Sequence, residues 1–217
     1  MRVYSSAIKN DKGIEVEGNR TREKIFNAAE LLFIEHGYDG VSINDIAVSA
    51  DVAKGLVFYY FESKKKLFDM ILDRYYIRQA DALMSAIGTT GNVRERIHAG
   101  IDAYLDFVEK NPGYPRLIQR EVCSSEQNLE KVMQYMTPMQ GWGESIFADL
   151  LPSKGPLSSR HFFITIFGMA INYYTYVPVL KRLWAGDPMA AEALSERRTH
   201  IHFVIDALME KFAIGKK

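Results

Sequence analysis

Cysteine is almost missing from this chain: Cys123 is the one example in 217 residues. No internal disulfide can form, and such usage suits a reducing compartment, so a cytoplasmic protein is expected. Cys123 has no base partner nearby in sequence and is expected to be an inert thiol. Histidine is scarce too, with His36, His98, His161, His200 and His202. None forms an HExxH pair, and His200 and His202 stand two apart, so on a helix they do not face one site. GxSxG, Walker and dinucleotide loops are also absent. The expectation is therefore no enzyme, no cofactor and no metal. An enzyme site built from scattered helical residues, or a small-molecule-binding protein without DNA-regulated function, is the alternative.

Charge of one sign is lacking as well. Lys and Arg number 27, as do Asp and Glu, for a net charge of zero. Up to Arg74 there are 11 Lys and Arg against 12 Asp and Glu, so any nucleic-acid surface here is a small face, used in two copies, and not a basic domain. The first 19 residues have no apolar core of the secretory kind; Lys9, Asp11 and Lys12 fall among them, and a flexible arm is expected over 1–19. No alternating strand pattern or internal repeat is needed anywhere.

What is present is helical period. From Arg20 to Glu35, Ile25, Ala28, Ala29, Leu32 and Phe33 form one stripe, and Gly37 follows as a helix stop. Ser42 is an N-cap with Asp45 three residues on, and Ile43, Ile46, Ala47 and Ala50 form the stripe of a short helix. A second short helix turns Val52, Val57 and Phe61 inward and Lys54, Gly55, Leu56, Tyr59 and Tyr60 outward. This is the plan of a helix-turn-helix. Ser63 caps a third helix whose first turn holds Lys64, Lys65 and Lys66. Cations there oppose the helix macrodipole at about 0.3–1 kcal/mol each. A solvated charge run is the plain explanation, but lysines beside free helix N–H groups also make a phosphate grip.

The segment Thr21 to Phe68, with HGYDGVS, INDIA, VAKG, an aromatic run and SK before Leu67, resembles the DNA-binding domain of the tetracycline-repressor (TetR) family. The resemblance covers about a fifth of the chain. It implies phosphate contacts from Ser42, the aromatic run and Lys64, and base contacts from Lys54, Gly55, Leu56, Tyr59 and Tyr60. Ala53 stands where the family usually has Ser or Thr, so the recognition helix lacks that cap. Leu56, Phe58 and Tyr60 also depart from the common residues and put the operator sequence in question, not the docking mode. An apolar Leu56 suits a thymine methyl and Lys54 a guanine N7 or O6.

Beyond Leu67 the pattern stays helical: a long first helix, Val93 to Glu109, a short helix from Pro115 to Cys123, Leu129 to Leu151 interrupted near Pro138, Ser159 to Trp184, and Pro188 to Phe212. Phe162 to Leu180 runs 19 residues without a charge, but its tyrosines, Asn172 and Pro178 suit a buried helix and not a bilayer. Such a helix needs cover on several sides. The resemblance implies a homodimer in which the last two helices pair as a four-helix bundle, with Ile201 and Ile205 among the residues that supply it. Soft and aromatic side chains in the middle helices serve either as core or as the lining of an apolar or aromatic small-molecule pocket. The candidates are Tyr104, Phe107, Met133, Met136, Trp142, Phe163, Phe167 and Tyr173, with Asn172, His98 and Gln119 as polar neighbours.

The expected protein is all-α, with an arm at 1–19, a three-helix helix-turn-helix domain at 20–66 and a larger ligand-sensing and dimerisation domain at 67–217. The expected function is a ligand-responsive transcription regulator, a repressor released from a palindromic double-stranded operator by an unknown small molecule, with no membrane partner.

Overall fold

The computed structural model describes the backbone of residues 4–87, 91–122, 126–147, 152–156 and 158–214. Cys123 lies outside them, as do the side chains of Trp142 and Met139. Every regular element among the described residues is a helix. Contacts divide the chain into two compact units, Met1–Tyr75 and Tyr76–Lys217.

The first unit holds α1 (Tyr4–His36), α2 (Ile43–Ser49), α3 (Lys54–Phe61) and the first half of α4 (Lys64–Ile87). Helix α1 takes in residues 4–19, where a flexible arm was expected. No proline interrupts this stretch, so nothing covalent stops the helix from continuing upstream of Arg20. It ends at Gly37, whose φ of 75° and N–H bond to Phe33 O are the left-handed stop that glycine provides. The core consists of Ile25, Phe33, Ile46, Val57, Phe61, Leu67, Phe68, Ile71 and Leu72, all fully buried. Phe33 and Phe68 meet edge to face at 5.1 Å. Because Leu67 to Leu72 belong to this core, the units part within α4, whereas the sequence reading divided the domains at its head. Arg74 closes the unit, with its guanidinium 3.8 Å from the centre of the Phe26 ring and 2.7 Å from a Glu30 carboxylate oxygen.

The second unit holds the rest of α4 with α5 (Val93–Lys110), α6 (Tyr114–Val122), α7 (Glu126–Phe147), α8 (Ser159–Thr175), α9 (Val177–Leu183) and α10 (Ala191–Ile214). Asn92 and Glu95 form a capping box at the head of α5. Helix α7 does not break at Pro138 as expected. It runs on to Phe147, since its packing on α6 and α8 outweighs the one backbone bond a proline removes. The single helix expected from Ser159 to Trp184 is instead two, α8 and α9, bent by 67° at Tyr176. Pro178 is the cause: it has no N–H to give to Tyr174, and its ring excludes that carbonyl, whereas the first turn of a new helix accepts it. No single described helix is long and apolar enough to cross a membrane; α8 and α9 together pass on length and composition, but only as this bent pair.

Helices α5 and α10 are tied by charge. Arg198 binds Asp102 at 2.9 Å, Asp106 at 2.6 Å and Glu109 at 2.9 Å. Beside it His98 and His202 hydrogen-bond through their Nδ1 atoms, and their Nε2 atoms reach Asp206 and Asp102, each at 2.8 Å. His98 therefore belongs to this network. Ile201 and Ile205 are fully buried within the subunit, so they supply this core and not a dimer face.

Candidate functional site

The N-terminal unit presents one face of each of its short helices, α2 and α3, to solvent. Ser42 caps α2: its Oγ accepts from Asp45 N at 3.2 Å, and Asp45 Oδ2 accepts from Ser42 N at 2.8 Å. The Ser42 bonds hold the Asp45 carboxyl below its usual range. The Ser42 hydroxyl accepts in this box and keeps its own proton to donate, and Ser42 is exposed. Asp51 makes the turn into α3 with a φ of 51°, a left-handed conformation that Asp tolerates better than most residues. Its N–H bonds Val48 O, and Val52 N–H bonds Ala47 O.

Helix α3 starts at Ala53 with no side-chain cap. Val57 and Phe61 anchor it in the core. Lys54, Gly55, Leu56, Phe58 and Tyr59 are exposed, Tyr59 at 77%. Tyr60 is half-buried, its ring edge-on to Tyr59 at 5.0 Å, with its hydroxyl 3.5 Å from where a Cβ on Gly18 of α1 would stand. A Cβ on Gly55 would meet nothing within 4 Å, so another backbone can approach closely there. The five proposed base-reading residues thus share one helix, four of them exposed and Tyr60 partly covered.

After α3 the chain reverses in a γ-turn at Glu62, with φ 61° and ψ −45°, closed by Ser63 N–H to Phe61 O at 2.6 Å. Ser63 Oγ then caps α4 by accepting from Lys66 N at 3.1 Å. The three lysines that follow are all compensated within the unit. Lys64 Nζ donates to Tyr38 O and Val41 O, both at 2.9 Å, and lies 4.1 Å from the centre of the Tyr38 ring. Lys65 pairs with Asp69 and Lys66 with Glu62. Lys64 thus fastens the 38–41 loop to the head of α4 with two of its three N–H groups.

The candidate ligand residues fall in the second unit and do not all converge. Tyr104 and Phe167 meet at 4.8 Å and Phe163 and Phe167 at 4.4 Å. Phe107 joins Tyr114 at 5.1 Å. Tyr173 is buried elsewhere, its hydroxyl donating to Pro188 O at 2.7 Å. It borders an open cleft of about 470 Å³ with Trp184, Asp187, Arg197 and His200. Met133 is exposed and Met136 half-buried on α7. Gln119 and Asn172 bond each other at 3.1 Å on the surface. The sequence reading missed Tyr76 and Gln79, both fully buried. The signal was there: Gln79 occupies an apolar position of α4, between Tyr76 and Leu83 at helical spacing.

The family model described as bacterial regulatory proteins, tetR family, matches residues 25–71. The transcriptional activator FasR of Mycolicibacterium smegmatis is 27% identical over 124 residues, which are 57% of each chain. The biofilm operon negative transcriptional regulator IcaR of Staphylococcus aureus is 42% identical over 48 residues, 22% of this chain and 26% of IcaR. The chain spans about half the length of FasR and similar curated relatives. Among solved structures, the transcriptional regulator FadR of Bacillus subtilis, in complex with stearoyl-CoA, superposes with a TM-score of 0.63 at 17% identity, over 88% of this chain and 96% of that one. That likeness is one of fold.

Proposed function

The chain belongs to the tetR family of bacterial regulatory proteins, and from this premise we propose that it is a transcription regulator that docks α3 in the major groove of a palindromic operator as a homodimer and is released by an apolar or aromatic small molecule. The observation that carries the DNA reading is the two-sided character of α3. Val57 and Phe61 fix it in the core, while Leu56, Phe58 and Tyr59 stay exposed. Three large apolar side chains on one short helix have no reason to face water, and a groove covers them. Ser42, Lys54, Gly55, Leu56, Tyr59, Tyr60 and Lys64 are the proposed contacts, Ser42 and Lys64 to phosphates and the α3 residues to bases.

The ligand half rests on the aromatic interior of the second unit and on the stearoyl-CoA held by a protein of the same fold. Relatives include both an activator and a negative regulator. Repression is the reading we favour, because a spacing fitted to two successive grooves is easier to spoil than to create. The test is selection of duplexes from a random pool, followed by anisotropy titration. Binding of an inverted repeat with half-sites about one helical turn apart supports the proposal. Equal affinity for all duplexes, or none, refutes it.

A further inference from the structure

Besides Ser158 Oγ and Arg197 Nε, three buried side-chain atoms of the second unit have no hydrogen-bond partner among the described residues: the hydroxyls of Tyr76 and Tyr104, and the side-chain nitrogen of Gln79. All three residues are more than nine-tenths buried. They belong to one cluster. Tyr76 and Gln79 are one turn apart on α4. Tyr114 of α6 donates to Gln79 Oε1 at 2.8 Å, and its ring meets Tyr76 at 6.4 Å. Tyr135 of α7 stacks on Tyr76 at 4.4 Å. Tyr104 of α5 touches Phe167 of α8 and lies within electrostatic reach of Tyr76. Burial holds the Tyr76 and Tyr104 hydroxyls protonated, far above the usual phenol range, and each is close enough to another tyrosine to push it further.

Buried polar groups in folded proteins are nearly always bonded, and an unmet one is costly. Three unmet donors in one apolar cluster form a set of sockets. We propose that Tyr76, Gln79 and Tyr104 bind the polar end of the effector, and that this end is an uncharged group rich in hydrogen-bond acceptors, of the carbonyl class, on an apolar or aromatic body. This rests on the ligand-responsive reading above and narrows it. Gln79 Oε1 already accepts from Tyr114, so the unmet group of the amide is its N–H, which demands an acceptor. The two phenols remain protonated and also donate. Neither Tyr114, Tyr135, Phe107 nor Phe167, the rings around the cluster, carries a charge. An anion brought here would lose its hydration with no cation to replace it.

The experiment compares three probes on the full chain: 2-decanone with one carbonyl, decane with none, and decanoate with a charge. Dissociation constants come from fluorescence titration at neutral pH, and Tm from thermal unfolding. The ketone should bind more tightly than either decane or decanoate. In the double variant Tyr76→Phe, Tyr104→Phe, the ketone should weaken roughly tenfold while decane is unchanged. The unliganded double variant should unfold at the same or a higher temperature, because two unmet hydroxyls are gone. A lower Tm would show that the hydroxyls are already bonded without ligand, and equal ketone and decane affinities would show that no acceptor is read; either overturns the inference while leaving a pocket in place. Decanoate binding as tightly as the ketone overturns the uncharged class. If none of the probes binds, the ligand-responsive reading itself fails, and this inference with it.

Discussion

Two residues of the N-terminal unit bear backbone strain that the sequence did not reveal. Asp51 and Glu62 adopt positive φ, where glycine is most at ease, and both sit in the turns that flank α3. A non-glycine residue in such a conformation costs about 1 kcal/mol or more. Asp51→Gly and Glu62→Gly should therefore hold or raise Tm by a few degrees in thermal unfolding, while alanine at either site lowers it. Equal effects of glycine and alanine would show that the turns are unstrained. Lys64 was legible as a cation near the phosphates, but not as a tie to the Tyr38 and Val41 carbonyls, since its partners lie more than twenty residues upstream. Lys64→Ala should weaken binding to operator and to random duplex alike and reduce the salt slope by about one contact per subunit. It should also destabilise the unit by roughly 1–3 kcal/mol, because two carbonyls lose their donor. Binding lost on one operator only would mean that Lys64 reads bases.

At the scale of elements, what the sequence showed well was what local period encodes. The capped α2, the uncapped α3 and the Ser63 start of α4 depend on near neighbours, and the structure has them all. Where a proline meets tertiary packing, the outcome was decided from outside the segment: Pro138 is absorbed into α7, Pro178 splits α8 from α9. The same limit governs the proposed dimer surface. Helical period alone does not say which of two apolar faces turns inward on a helix, and Ile201 and Ile205 prove to be core. The exposed apolar residues of the last three helices include Ile164 on α8, Leu183 and Trp184 at the end of α9, and Phe203 on α10, each more than half exposed. Phe203→Glu with Ile164→Glu should thus give a folded monomer by sedimentation, and Ile201→Glu should give unfolded or insoluble protein. A dimer that survives the double change would move the interface elsewhere.

The α5–α10 seam adds a pH dependence. Burial pushes the Asp102 carboxyl up, but its bonds from His202 and Arg198 outweigh this and hold it below the usual range; His98 does the same for Asp206. A carboxyl depressed in the folded state contributes stability above its unfolded pKa and loses it as pH falls through the lower folded value. Stability should decline below about pH 4, and Asp102→Asn should lower Tm at neutral pH while flattening that acid decline. An unchanged acid slope in the variant would remove Asp102 from the linkage.

For the whole molecule, the proposed function requires that a ligand bound by one unit alter the affinity of the other for DNA. Helix α4 is continuous from Lys64 to Ile87; its first half belongs to the N-terminal unit and its second half carries Tyr76 and Gln79. A ligand that bonds those two side chains takes hold of a helix whose head carries the proposed phosphate contact Lys64. Two recognition helices in a dimer must lie about 34–36 Å apart to enter successive major grooves, and a small turn of α4 is enough to lose that fit. If ligand favours the misfitting spacing, linkage requires that operator weaken ligand binding by the same factor that ligand weakens operator binding, typically 5–150-fold. The reciprocal factors should be measured in both directions on one preparation, ligand titrated with and without saturating operator, and operator with and without saturating ligand. Met136→Trp, which adds bulk to a half-buried position on α7, should shift operator affinity or blunt the ligand response. Operator affinity that stays the same with a tightly bound ligand in place would separate the two units energetically, and would leave a DNA-binding protein whose aromatic interior is core alone.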